Sequence, residues 1–392
     1  MTDLSQGARS AIAAGTWTGL RSVPEHELSR TISFARISLI VGLVFLHYDA
    51  FPNAAASPFR GLQPGPHALA SFVNSFVLFF FFAVVPLLSM ISGWLFFSPR
   101  GGSGWPALRR RIGRRFVSLY LPLVLWNLLF LALLWALFRV DPGHPLLPQL
   151  NIDFATAGAG AYLDAVLGVT AHPVGFQFWF VRDLFVTVLI SPLLWLMLRH
   201  APWLGAALLG AAWIAGDNLL IFFRSDVPFF FYLGALVRQR GSVPGFGWRL
   251  AALLLGLYIA LVALRVAAPL WVDEEVYRQR LLLEAATRAM RLPGVLACWG
   301  LFLNLSRTAP AARLARLGGL AFFLHGIHYP LLAEVKLLLW PLVPAETDAW
   351  MLAHYAASVA VTVAIGLGVG LALARVAPRF LAVFNGGRAV GS

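Results

Sequence analysis

Charge is what this sequence has least of. Only 12% of its 392 residues are Asp, Glu, Lys or Arg, where a soluble chain carries about a quarter. Hydrophobic residues make up 59%, and the mean hydropathy is +0.77. So few charges cannot cover a water-exposed surface, so the chain reads as a polytopic membrane protein. A single cysteine, Cys298 in an apolar run, excludes an internal disulfide and argues against thiol nucleophile chemistry. Acidic residues are also scarce, 17 against 30 basic ones, leaving a formal charge of +13. No lysine-rich run accompanies that charge, and the arginines sit between apolar segments. The positive-inside rule therefore accounts for them better than nucleic-acid binding does. There is no G-x-S-x-G elbow, H-E-x-x-H or P-loop, so serine-nucleophile and zinc-protease readings lack support. No internal repeat is present.

What the sequence does have is a series of ten apolar segments, most near the twenty or so residues needed to cross a bilayer. They fall roughly at 34–51, 70–97, 116–138, 176–198, 203–222, 227–238, 248–268, 290–306, 317–340 and 350–375. Pro86 and Gly93 predict a kink in the second, the sixth is short, and "LLLEAATRAMRL" before the eighth reads as an amphipathic surface helix. Alternating the segments from a cytoplasmic amino terminus puts about two thirds of the lysines and arginines on the inner side. The expected architecture is thus an all-α polytopic bundle of about ten transmembrane helices with both termini cytoplasmic. Residues 1–29 form an N-terminal cytoplasmic segment, 30–376 the membrane domain and 377–392 a cytoplasmic tail. "NAAAS" at 53–57 resembles a signal-peptidase site, but the long region before it and the polar His47 and Asp49 within the run argue against cleavage.

Ionisable residues inside such segments are costly and mark candidate sites. "RISLIVGLVFLH" places Arg36 and His47 on one helix face, about 20° and about 16 Å apart. That geometry suits a long anionic ligand whose charged head binds at the inner face while its reactive end lies further out. The structural alternative is a snorkelling arginine and a histidine bonded to a carbonyl. "RRRIGRRFVSLYLP" sets Arg111, Arg114 and Arg115 at the inner start of the third span, where positive charge opposes the helix dipole. Topology, anionic lipid or a phosphate-bearing ligand would each explain them. The "GGSG" at 101–104 is a weak phosphate-loop signal. "GFQFWFVRDLF" carries Trp179, Arg182 and Asp183, a pair that either faces a cavity or neutralises itself. In "LGGLAFFLHGIHYPLL", His325 and His328 have no visible third ligand, so no metal is expected, and one of them is expected to share a cavity with His47.

At these residues the chain resembles the membrane-bound acyltransferase family 3, bacterial proteins that O-acylate sugars of polysaccharides and other envelope glycans. The matching features are the arginine, ten residues and histidine of the first helix (Arg36, His47) and the R-x-x-R of Arg111 and Arg114, followed by Pro122. "MISGWLFF", "FWFVRDLF", "PFFFYLGALV" and "AFFLHGIHYPLL" follow in register, so the likeness spans about residues 30 to 375. The chain departs from the family at Ser33 and Ile37, where many members carry aspartate and glycine. The resemblance implies transfer of an acyl group, usually acetyl, from cytoplasmic acyl-CoA to a glycan hydroxyl. Its partners would be acyl-CoA, a glycan or lipid-linked oligosaccharide and the bilayer of the bacterial cytoplasmic (inner) membrane, with no nucleic acid and no tightly bound cofactor. Arg36, Arg111, Arg114 and Arg115 would hold the CoA phosphates, and His47 would act as general base. Trp179, Arg182, Asp183 and His328 would lie on the cavity or acceptor side. The competing reading is a secondary transporter or flippase using His47, Arg182, Asp183 and His328, which matching repeated halves would support. A non-catalytic scaffold is a third.

Overall fold

The structure, a computed structural model, describes residues 21–54, 57–98, 102, 104–241 and 243–388. Most of the N-terminal segment with Arg9, Arg100, part of the 101–104 loop, and two residues of the "NAAAS" site lie outside the described residues.

The chain is a helical bundle in which prolines and glycines decide where helices break. The first helix, α1 (Glu25–Leu46), follows Pro24, carries Glu25 and Glu27 in its first turn and stops at His47. Acidic groups there complement the positive helix terminus. Next come α2 (Ala68–Phe80) and α3 (Val84–Phe96), joined by a single 3₁₀ turn. The expected break at Pro86 is mild, because that proline sits in the first turn of α3, where its missing N–H has no intrahelical role. The long rod Gly104–Val140 comprises α4 (Gly104–Arg115), a π turn at Phe116–Tyr120 and α5 (Leu121–Val140).

The short α6 (Ala159–Leu167) lies in the following loop. Then α7 (Trp179–Leu189) and α8 (Ser191–His200) meet at an angle of 58°. They precede α9 (Pro202–Ala215), α10 (Asp226–Gln239), α11 (Trp248–Ala267), α12 (Tyr277–Ala289) and α13 (Arg291–Leu305). The chain ends with α14 (Ala309–Ala315), α15 (Ala321–Leu339), α16 (Asp348–Val376) and α17 (Pro378–Phe384).

Among the described residues, six helical stretches are long and apolar enough to cross a bilayer, or seven with the bent α7–α8 pair. The other segments expected to span coincide with α9, α10 and α13, which run for only 14, 14 and 15 residues. Their apolar runs are interrupted by polar loop structure. Gly216 ends α9 in the left-handed conformation, and α10 and α13 both begin at a buried ion pair, Asp226 with Arg291 at 2.6 Å. The amphipathic stretch forms α12, largely exposed.

Two glycines set the closest helix contact. A Cβ on Gly93 would strike the Phe231 carbonyl, and one on Gly234 the Met90 carbonyl. The backbones of α3 and α10 therefore touch, as small residues permit in membrane bundles. Loops collect at two ends. At one, strand β1 (Arg21–Ser22) pairs antiparallel with β2 (Pro244–Gly245), and Arg307 bonds Glu27 at 2.8 Å. At the other, Asn53 donates to Glu346, and Leu62 N–H to the Val266 carbonyl. His47 is near the second end, and Arg36 lies midway along α1, about 16 Å from it.

Candidate active site

His47 reaches its place because α1 ends there. Beside it, α15 breaks at Tyr329, whose backbone is extended (φ −127°, ψ 128°) before Pro330. A proline has no N–H, so the Gly326 carbonyl loses its helical donor. Gln177, fully buried, supplies the replacement: its Nε2 donates to the Gly326 carbonyl at 2.7 Å and to the Tyr329 carbonyl at 2.8 Å. The turn before that break carries His328 and points it at α1.

His47 Nδ1 and His328 Nε2 stand 2.8 Å apart, with the two rings stacked nearly parallel at 5.1 Å. The other ring nitrogen of His328, Nδ1, lies 2.8 Å from the His325 carbonyl and 3.2 Å from that of Leu324. A carbonyl only accepts, so His328 Nδ1 carries the proton. In a neutral ring Nε2 is then the acceptor, and His47 Nδ1 must donate to it. The same logic leaves the lone pair of His47 on Nε2, which has no protein partner among the described residues and opens onto a cavity. This network assigns the tautomer of His47 that a general base needs.

That cavity, of 210 Å³, is lined on one side by His47, Tyr48 and Asp49 and on the others by Phe176, Trp179, Arg224 and Lys336. Phe176 packs edge-on against His47 at 5.6 Å and lies flat against His172, which itself stacks on Phe223 at 4.3 Å. Burial, followed by the charges of Arg182 and Arg224, lowers the pKa of His172. Lys336 spans the rim, donating to the Tyr48 and Ala50 carbonyls.

At the opposite end, a 980 Å³ cavity is lined by Arg110, Arg111, Arg114, Arg115 and Ser118, with Ser98 across from them. Arg111 Nη2 is engaged by the Ser98 and Gly102 carbonyls at 2.6 and 2.8 Å, so it shapes the mouth. Arg114 is exposed to the mouth, and Arg115 is partly buried. Neither Arg36 nor Arg115 has a hydrogen bond or ion pair among the described residues.

Similarity to known proteins identifies the family of this chain. The family model for the acyltransferase 3 family, described as an acyltransferase domain, matches residues 30–373. The chain belongs to that family. It is therefore a membrane acyltransferase, and the family's multi-pass character accords with the six to seven apolar helices. It is also 29% identical to the succinoglycan biosynthesis protein ExoH of Rhizobium meliloti (strain 1021) over 369 residues, 93% of this chain and 94% of that protein. No solved structure matches significantly.

In this acyltransferase, Arg182 and Asp183 are committed to the protein itself. Arg182 donates to the carbonyls of Gly168, Val169 and Ile221 and pairs with Asp183 at 2.9 Å. Asp183 accepts from the backbone N–H groups of Phe223 and Arg224. The pair thus ties two loops to α7 and aims Arg224 at the cavity, which Trp179 lines directly. His328 stands behind His47 and does not line the cavity. His325 is buried among Phe178, Phe180 and Phe322, and neither of its ring nitrogens has a hydrogen-bond partner.

Arg388 escaped the sequence reading. The π turn and Pro122 leave the Ser118 carbonyl without the N–H that a regular helix would offer. Arg388 Nη1 fills that role at 3.2 Å while its guanidinium lies 4.4 Å over the Phe322 ring. Asn385, fully buried, holds the tail by accepting from Phe323 N–H and donating to the Gly319 carbonyl. Burial, then the like charges of Arg36 and Arg115, pull Arg388 down to about 9. A guanidinium still stays charged at neutral pH. Three arginines thus converge with no carboxylate paired to any of them among the described residues, an arrangement that favours an anion. The one available signal was Asn-Gly-Gly before an arginine near the end of a chain otherwise finished with its apolar segments.

Proposed function

We propose that this acyltransferase moves an acyl group, acetyl by analogy with its family, from cytoplasmic acyl-CoA to a hydroxyl of an exported or envelope polysaccharide. The observation that carries the reading is the polarity of one helix. Along α1, an arginine cluster of Arg36, Arg115 and Arg388 with no paired carboxylate among the described residues lies at mid-helix, and an unprotonated His47 Nε2 facing a cavity lies at the C-terminal end. The two are separated by about 16 Å, a length that a pantetheine arm spans. Arg114 and Arg115 at the large mouth would take the CoA phosphates, where guanidinium–phosphate bonds are strong.

The chemistry follows from the tautomer. His47 Nε2 accepts the proton of the acceptor hydroxyl as its oxygen attacks the thioester carbonyl. The tetrahedral intermediate then collapses, the C–S bond breaks, and the departing thiolate takes the proton from the imidazolium. His328 would hold the imidazolium in orientation throughout. The similarity to a succinoglycan biosynthesis protein supports a polysaccharide acceptor. On this reading the arginine-rich mouth faces the cytoplasm with both termini, His47 opens outward, and α9, α10 and α13 complete ten crossings of the bacterial inner membrane.

Purified protein in detergent, given acyl-CoA and an exported-polysaccharide fraction, should consume thioester in an acceptor-dependent way. His47→Ala should lower the rate about a hundredfold to ten-thousandfold, the usual worth of a general base, at unchanged protein level. Thioester consumption in His47→Ala within a fewfold of the parent would sink the mechanism.

A further inference from the structure

Next to the His47 cavity lies a second and larger one, of 480 Å³, and the two share Phe59, Phe82, Arg224 and Asp226 in their walls. They form one continuous depression at the His47 end of the bundle. The larger chamber is unusually cationic. Arg60, Arg224, Arg265, Arg280, Arg288 and Arg291 line it, against only Asp226, Glu274 and Glu284. In a bundle where charge is scarce, three arginines in excess around one cavity make a strong local field, focused by low-dielectric walls.

Some of that charge is spoken for. Arg291 and Arg224 pair with Asp226, Arg288 with Glu284 at 2.9 Å, and Arg265 pairs with Glu274 at 3.8 Å while holding the Phe59 and Arg60 carbonyls. The exposed guanidinium groups of Arg60 and Arg280 have no ion pair or hydrogen bond among the described residues. Phe59, Phe82 and Trp213 line the same chamber, and their flat faces suit the apolar side of a sugar ring.

We infer that this chamber binds the acceptor glycan and selects chains bearing anionic groups, either ring carboxylates or sugar phosphates. The inference rests on the acceptor approaching His47 from this end. Carboxylate and phosphate share the chemistry that arginine recognises, and the aromatic faces take the apolar side of the same sugar residues. Arg224 and Asp226, common to both cavities, pass the chain from the binding chamber to the base.

Binding is measured on the full-length protein in detergent, without acyl donor, using tetragalacturonate, the neutral maltotetraose and glucose 1-phosphate as probes. Tetragalacturonate should bind at least tenfold tighter than maltotetraose, and the advantage should shrink with added salt. The double variant Arg60→Gln/Arg280→Gln, changed only at exposed side chains, should lose about tenfold in tetragalacturonate affinity and keep its maltotetraose affinity. Displacement of tetragalacturonate by glucose 1-phosphate assigns phosphate as an accepted group; failure to displace assigns the carboxylate. Equal binding of the acidic and neutral tetramers, no binding of either, or unchanged affinity in the double variant overturns the inference. Because no thioester is present, those results leave the acyl-transfer reading standing. Acidic selectivity in a preparation that consumes no thioester supports the chamber and counts against the reaction.

Discussion

Replacing His328 with phenylalanine isolates the histidine relay from the base itself. His328 is completely buried, and its ring does not line the cavity, so the substitution touches neither substrate nor solvent. Phenylalanine keeps a flat ring in the space and removes two hydrogen-bonding nitrogens. The His325 and Leu324 carbonyls lose a side-chain donor, and His47 Nδ1–H loses the acceptor 2.8 Å away. The His47 ring is then free to rotate or to move its proton to Nε2, which removes the lone pair from the cavity. Losing a partner that orients a functional histidine costs about 10–100-fold in metalloenzymes. A similar fall in kcat is expected here, with KM for acyl-CoA nearly unchanged because the donor cluster is some 16 Å away. His328→Gln should recover part of the loss, since an amide oxygen can accept from Nδ1–H. The assay is acceptor-dependent thioester consumption across a range of acyl-CoA concentrations, alongside thermal unfolding to follow stability. Activity within twofold of the parent for His328→Phe would refute the tautomer argument. A loss as large as that of His47→Ala, unrelieved by glutamine, would make His328 itself the proton acceptor.

Three further outcomes are expected. Arg115→Ala and Arg388→Gln should each weaken binding of labelled acyl-CoA about tenfold to a hundredfold, the worth of one charge-assisted bond of about 1.5–3 kcal/mol. Glutamine at 388 still has an amide to offer the Ser118 carbonyl, so unchanged titration curves would show that Arg388 is only a helix patch. Gly234→Ala should destabilise the bundle by about 1–3 kcal/mol or more, read as a lower unfolding temperature in detergent, because its methyl meets the Met90 backbone and not a movable side chain; an unaltered transition would mean that α3 and α10 separate freely. At Asp164, partial burial opposes the charge, but hydrogen bonds from Thr170, Ala171 and Val169 outweigh it and hold the carboxyl below its usual value. A depressed carboxyl contributes stability above its unfolded pKa of about 3.9 and loses it as pH falls through the folded value. Asp164→Asn should therefore unfold at a lower temperature than the parent at pH 7, and the gap should narrow as pH drops below about 4. A gap independent of pH would remove charge from the explanation.

The membrane class, the helical architecture and the placing of Arg36 and His47 along one helix were legible in the sequence, because each rests on local chemistry. Hydropathy reports what cannot face water, and eleven residues on a helix return to the same face whatever surrounds them. The register of α9, α10 and α13 was less legible. Apolar composition runs across the points where Gly216 ends α9 and where the Asp226–Arg291 pair starts α10 and α13, and that pair joins residues 65 apart in the chain. The roles of Arg182 and Asp183 were undetermined for the same reason. Their spacing is equally compatible with a lined cavity, and only the arrival of loops 168–169 and 221–224 occupies their hydrogen bonds.

Pairing across the fold also decided the chemistry of His47. A lone imidazole in an apolar run has two tautomers and no preference that composition can express. His328, 281 residues away, selects one of them, held in place just before Pro330 breaks α15 two residues later. Arg388 joins Arg36 and Arg115 only because Asn385 pins the tail beneath α15 and the π turn leaves the Ser118 carbonyl unsatisfied. Sequence determined which residues this protein could not expose to water and which charges it retained despite the cost. Tertiary structure decided which of those charges are neutralised by the protein's own backbone and which are left for a ligand, because hydrogen-bond satisfaction is settled by neighbours that only folding brings together.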